Sequence, residues 1–427
     1  METTNPNTYQ LAYGSEYLSL TLDSNFTADV ISPMDIPSVE DPTEMVRQSL
    51  IHPVDGLNLA QFAGKKTVAI AVNDKTRPVP HHYMLPPLLE KLHSLGFTAQ
   101  NIKLIIATGT HKPMPAEEYA RILPADIYTN YPVCSHDCDD NENIKYLGET
   151  SRKTPVLINR QFLDADLRIV LGNIEPHHFM GFSGGAKSMA IGLAGRETIN
   201  TNHAMLTDPK ATIGEYEENP MRQDVEEIGA IANLQYVENV ILNSKKDIVK
   251  VYCGAPLPVM KAGIEEVRRT GQVSIENLYD VVIASVGGAP KDINLYQSQK
   301  AITHAALCVK DGGAVILAAK CPEGSGSPAF EAFMQGVTTF EQVFQKFTHD
   351  GFRVGPHKAF QIARLASRVS IIMVSDIPDE LVSSWCITPA KNLNQALAIA
   401  RNTITPMQRI AIMPRATNTI PYLVGAH

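Results

Sequence analysis

The sequence predicts an α/β protein of two domains, each a mostly parallel sheet flanked by helices. Apolar, β-branched runs recur along the chain without polar alternation, the pattern of strands buried on both faces. Turns and helical patterns such as MLPPLLEKLHSLG separate these runs, which is how βαβ units read. At 427 residues, 44% of them hydrophobic, the chain has material for two cores.

In order, residues 1–60 read as an irregular lead-in with one strand pair near LAYGSEYLSLTL. TVAIAV (67–72), IKLIIAT (102–108), LRIVLG (167–172) and ENVILN (238–243) are the expected strands of a first sheet. A polar stretch, RRTGQVSIENLYD near residues 268–280, marks the break. DVVIAS (280–285), GAVILAA (313–319), SIIMVS (370–375) and RIAIMP (409–414) then form a second sheet. The expected domains are 1–272, with the glycine-rich loop and the histidines, and 273–427, with Gln297 and Lys300.

Composition narrows the function classes. The net charge is -8 and no basic block stands out, so nucleic acid and anionic membrane are poor partners. No apolar run reaches the roughly 20 residues of a membrane helix. METTNPNTYQ lacks the basic-then-apolar pattern of a signal peptide, so a cytoplasmic location is expected. Cys134, His136 and Cys138 form a C-x-H-x-C cluster, but no second pair completes a tetrahedral zinc set. The plainer reading is a polar loop after a short strand.

Ligands of open α/β sheets bind beyond the carboxyl ends of the strands. TVAIAV is followed by Asp74 and Arg77, IKLIIAT by His111, and LRIVLG by His177 and His178. Asp74, three before Arg77, is a candidate to orient that guanidinium for a carboxylate. His111 and His177 suit proton transfer near neutral pH. His178 is expected to point away from His177 along an extended backbone. Gln297 and Lys300 share a helix face, with Tyr296 four before Lys300.

The richest segment is GFSGGAKS, residues 181–188. It nearly matches the phosphate loop G-x-x-x-x-G-K-[ST], but Ala186 replaces the second glycine and the preceding strand ends too early. Glycines here either free backbone N–H groups for an anion or serve close packing. Lys187 among them is a candidate anchor or counter-charge, and His203 a candidate metal ligand.

Read together, D-K-T-R-P, A-T-G-T-H-K-P, E-P-H-H-F-M-G-F-S-G-G-A-K-S, T-N-H and L-Y-Q-S-Q-K resemble, in this order, the nickel-dependent lactate racemase family. The resemblance implies a two-domain fold with the site in the interdomain cleft. It implies a nickel-pincer nucleotide, pyridinium-3,5-bisthiocarboxylic acid mononucleotide, with Lys187 at the tethering position and His203 as the nickel ligand. Ser183, Gly184 and Gly185 match the cofactor loop. His111 and His177 match two acid–base histidines, and Arg77, Gln297 and Lys300 the carboxylate grips, with Asp74 and Tyr296 beside them. The implied reaction racemises or epimerises a 2-hydroxy acid by reversible hydride transfer from the substrate Cα. Dedicated cofactor-biosynthesis enzymes are implied as partners.

The chain departs from the family in ways that bear on substrate. A family tryptophan is absent from VGPHKAFQIARL, which offers His357 and Lys358, and the sole tryptophan is Trp385. Lys75 stands where a histidine is expected. These changes point to a substrate larger or more polar than lactate. The competing readings are a hydroxyacid dehydrogenase or dehydratase, against which no G-x-G-x-x-G follows a strand, and a phosphate-binding regulatory protein, which leaves the histidines unexplained.

Overall fold

The computed structural model describes residues 7–33, 36–77 and 79–424. The chain forms two compact units, Asp35–Thr270 and Met1–Met34 with Gly271–His427. Each unit is built on a six-stranded sheet.

In the unit of Asp35–Thr270 the strand order is Ile248–Gly254, Tyr236–Leu242, Leu167–Asn173, Val68–Asn73, Ile102–Ala107 and Val133–Ser135. All neighbours are parallel except the first pair. The central strand is buried from Val68 to Val72, as its unbroken apolar run requires. Ile70, Leu104 and Ile169 share one core with Leu85 and Leu88 of helix His81–Ser94 and Val46 and Leu50 of helix Pro42–Ile51. Each such aliphatic side chain contributes about 1.5–3 kcal/mol on burial. Helix Pro42–Ile51 was not expected, yet its start is legible. The Asp41 side chain caps the Glu44 N–H at 2.9 Å, and Pro42 stands at the first turn.

In the other unit the order is Thr388–Ala390, Ser370–Val374, Val309–Ala318, Tyr279–Ser285, Ile410–Met413 and Ala28–Val30, all parallel. The expected strand pair is present as Thr8–Tyr13 and Glu16–Thr21, antiparallel. All eight expected strands therefore exist, four to a sheet. The assignment of the first 34 residues to the first domain needs correction, whereas 35–60 stay with it. Leu11 and Leu20 enter the core of Ile283, Ile316 and Leu397. Ser285 Oγ donates to the Ala12 carbonyl at 2.6 Å, and Ala28–Val30 extends the second sheet.

Candidate active site

Three adjacent parallel strands of the first unit deliver the candidate residues to one sheet edge. Val68–Asn73 and Ile102–Ala107 run in register, Asn73 opposite Ala107. Asp74 and His111 therefore leave their strands at the same end. After Asn73 the chain turns on Asp74, whose Oδ1 accepts from Thr76 Oγ1 at 2.6 Å and from the Thr76 N–H at 3.1 Å. After Ala107 it turns through Gly109, at φ +57°, and the His111 N–H returns to the Thr108 carbonyl at 3.0 Å.

His111 Nδ1 lies 2.7 Å from Asp74 Oδ2. Burial acts to raise the Asp74 carboxyl, but the bonds from His111 and Thr76 outweigh it and hold it below its ordinary value. The expectation that Asp74 orients the Arg77 guanidinium is thus corrected. Its two oxygens serve Thr76 and His111, and Arg77 is exposed with no described carboxylate at ion-pair distance. Lys75 also points elsewhere, to Glu118 at 2.5 Å, so its charge is matched.

The third strand, Leu167–Asn173, leads into a small hairpin of Pro176–His177 with Gly181–Phe182. The Met180 N–H donates to His177 Nδ1 at 3.2 Å. His178 does not point away from His177. The strand ends there, and the two rings stack at 4.6 Å and 16°. Phe179 packs its ring against His177 at 4.6 Å and against His203 at 5.6 Å, which joins the second histidine to the candidate metal ligand.

The glycine-rich loop follows. Gly184 and Gly185 both have positive φ. A Cβ on Gly184 would lie 2.7 Å from Asn239 Oδ1, and one on Gly185 2.5 Å from Met260 Cγ, so close packing demands glycine at both. The Gly185 N–H is taken by Asn239 Oδ1 at 2.7 Å and the Ser183 N–H by the Glu175 carbonyl at 2.8 Å. Arg222, fully buried, donates to the carbonyls of Phe182 and Gly184 at 3.1 Å and pairs with Glu226 at 2.5 Å. Asn239 and Arg222 thus hold the loop, and neither was singled out in the sequence. Asn239 carried a signal, a polar residue in a strand read as buried on both faces.

Lys187 begins the short helix Lys187–Ala190. Burial, with the charges of Arg77 and Arg222 adding to it, pushes its amine down to about 7, against a weaker opposing pull from Glu175. Burial and the Lys187 charge push His203, on helix Arg196–Ala204, down to about 3. An uncharged imidazole offers a nitrogen lone pair that suits nickel. The Arg222 guanidinium is taken by Glu226 and the loop carbonyls, whereas Arg77 and Lys187 suit an anionic group bearing phosphate and thiocarboxylate. These residues therefore fit the implied cofactor in ligand type and in charge. His136 takes no part in a zinc site. It is buried, with Nε2 at 3.0 Å from the Ala194 carbonyl and Nδ1 at 3.1 Å from Asn159 Nδ2.

In the second unit, helix Leu295–Ala306 carries Tyr296, Gln297 and Lys300, capped by Asn294 Oδ1 on the Gln297 N–H at 3.1 Å. Gln297 and Lys300 are exposed and Tyr296 is half-buried. His357 and Lys358 lie in the first turn of helix Pro356–Ala366, both buried. Trp385 is a core residue, edge-on to Phe330 at 5.4 Å.

Both units have known counterparts. Residues 13–214 match the lactate racemase N-terminal domain and residues 275–420 the lactate racemase C-terminal domain. Lactate racemase of Thermoanaerobacterium thermosaccharolyticum is 33% identical over 384 residues, 88% of this chain and 90% of that protein. That of Lactiplantibacillus plantarum is 31% identical over the same shares. The structure of the Thermoanaerobacterium thermosaccharolyticum lactate racemase apoprotein superposes with a TM-score of 0.87 at 31% identity, covering 97% of this chain and 100% of that one. A Thermotoga maritima protein at 17% identity, covering 90% of this chain and 100% of its own, shares the fold with a TM-score of 0.63. The chain is an α/β isomerase of the racemase type. It belongs to the lactate racemase family.

Proposed function

We propose that the protein racemises or epimerises a 2-hydroxy acid more polar or larger than lactate, using a nickel-pincer nucleotide. The observation that carries this reading is the Asp74–His111 pair beyond the ends of two strands whose neighbour, Leu167–Asn173, leads to His177, with Phe179 packed against both His177 and His203. When bound, the cofactor supplies a pyridinium ring that reversibly takes up hydride.

The protein's own residues handle the proton and the carboxylate. With Nδ1 on an ionised Asp74, neutral His111 keeps its proton there and presents a lone pair at Nε2. His177, whose Nδ1 accepts the Met180 N–H, presents an N–H at Nε2 instead. The two rings thus rest as an acceptor and a donor for a substrate hydroxyl. A racemase that works on either enantiomer requires both. When His111 takes the hydroxyl proton, Asp74 stabilises the resulting imidazolium. Arg77 is a carboxylate grip of the first unit, and Gln297 and Lys300, with Tyr296 beside them, are carboxylate grips of the second. Lys187 supplies the amine for a covalent anchor, Ser183 belongs to the loop that precedes it, and His203 supplies the imidazole for nickel. Asn239 and Arg222 set the loop.

His111→Ala and His177→Ala, tested in cofactor-loaded protein, are each expected to lose at least about 100-fold in racemisation with nickel content unchanged. Full activity in either variant, or loss of nickel with activity, would overturn the assignment.

A further inference from the structure

A buried carboxylate is rarely left without a cation, because hydrogen bonds alone must then offset its lost hydration. Asp224 is such a group. It is fully buried on helix Pro220–Ile231, and among the described residues no cation stands within ion-pair distance of it. Its Oδ1 accepts from Thr150 Oγ1 at 2.6 Å and its Oδ2 from Asn202 Nδ2 at 2.9 Å. Asn202 Nδ2 also donates to the Met221 carbonyl of the same helix, again at 2.9 Å. Asn202 Oδ1 is buried and accepts from nothing. A flipped amide would aim that oxygen at a carboxylate and a carbonyl, so the two acceptors fix its orientation. An unsatisfied buried acceptor lowers stability, and the protein keeps it beside a buried carboxylate that no cation matches. The residue that follows Asn202 is His203.

We propose that Asp224 is a positioning residue for His203. Through Asn202 it sets the rotation of helix Arg196–Ala204 about its own axis, and with it the direction of the next side chain, the imidazole assigned to nickel. The inference rests on that proposed role of His203 and adds a residue that acts through it. A metal ligand must be held to about 0.5 Å and 10–20°. Helix Arg196–Ala204, at nine residues, is too short to hold such a geometry by its own stability. The other contacts of helix Pro220–Ile231 run the same way. Its N-cap, Asn219, donates to the Phe179 carbonyl at 2.9 Å, and the Phe179 ring packs against His203. Arg222 holds the carbonyls of Phe182 and Gly184 ahead of Lys187. The start of one helix therefore ties together the hairpin of His177, the glycine-rich loop and the helix of His203. A purely structural Asp224 would support the fold and leave nickel retention untouched.

The test reads nickel release from cofactor-loaded protein into excess chelator, by metal analysis and by the visible absorbance of the bound nickel. Asp224→Asn keeps the side-chain shape but sets an N–H against either the Asn202 amide or the Thr150 hydroxyl. It is expected to release nickel about 10- to 100-fold faster than wild type and to shift the absorbance. Thr150→Val, which removes one donor to Asp224, should move both in the same direction, and Thr150→Ser should restore them. Val46→Ala opens a cavity in the core under helix Pro42–Ile51 and lowers the melting temperature, yet should release nickel at the wild-type rate. A folded Asp224→Asn with wild-type release overturns the inference. So does a Val46→Ala that releases nickel as fast as Asp224→Asn at an equal loss of melting temperature. If Asp224→Asn does not fold, Thr150→Val decides on the same terms. His203→Ala separates the two readings. If it retains nickel as wild type does, the assignment of His203 fails and the positioning role with it. If it loses nickel while Asp224→Asn keeps it, the positioning role alone fails. The readout needs no turnover, so it decides the matter even for a holoenzyme inactive on every 2-hydroxy acid.

Discussion

Asp74→Asn removes one negative charge from a buried position and leaves the side-chain shape intact. In the wild type Asp74 Oδ2 stands 2.7 Å from His111 Nδ1, and Oδ1 holds Thr76 at 2.6 Å. A hydrogen bond to a charged group is worth about 1.5–3 kcal/mol. Lost only where His111 carries the proton, that energy corresponds to a fall in kcat of about 10- to 150-fold. Substrate does not bind to Asp74 in this account, so KM should move little. Enantiomers of a single-centre 2-hydroxy acid have equal energy, so kcat/KM must fall by the same factor from either one. Initial rates by chiral chromatography on cofactor-loaded protein read both constants. If Asp74 instead worked by orienting Arg77, KM would rise with kcat held. That outcome, or a loss below about threefold, would refute the reasoning.

Two further predictions concern the fold around the site. Gly185→Ala places a Cβ 2.5 Å from Met260 Cγ at φ +57° and should cost about 1–3 kcal/mol of unfolding free energy. Met260→Ala should recover part of it, so denaturant melts of the double variant should show less than the summed cost, whereas strict additivity would place the strain elsewhere. Glu238 is fully buried, and burial raises its carboxyl well above the usual range. A raised carboxyl contributes stability fully present below its unfolded value, near about 4.3, and lost as pH rises toward its folded value, at about 1.4 kcal/mol per unit. Glu238→Gln should therefore gain on the wild type as pH rises above about 5 in chemical denaturation, and parallel curves would contradict the burial argument.

The eight expected strands were legible because runs such as TVAIAV and DVVIAS are apolar on both faces, which no exposed element permits. Ala28–Val30 was not legible, since three residues carry no periodicity and its pairing depends on Ile410–Met413 at the far end of the chain. At the site, placing His111 and His177 after strands needed only the strand-end rule. The partner of Asp74 needed the fold. Sequence proximity favoured Arg77, three residues on, whereas parallel register brings in His111, 37 residues away. The same holds for the glycine loop, whose holding groups lie 38 and 54 residues downstream at Arg222 and Asn239. His178 was misjudged because an extended backbone was assumed where a turn begins.

The central claim is that the substrate Cα hydrogen leaves and returns as hydride while the histidines carry only the hydroxyl proton. Racemisation of a 2-hydroxy acid deuterated at C2, run in ordinary water with cofactor-loaded protein and followed by mass spectrometry and chiral chromatography, tests it most directly. The account predicts that product of inverted configuration keeps its deuterium through equilibration. Washout of deuterium into solvent at the rate of racemisation would instead mean proton abstraction at Cα and would contradict it.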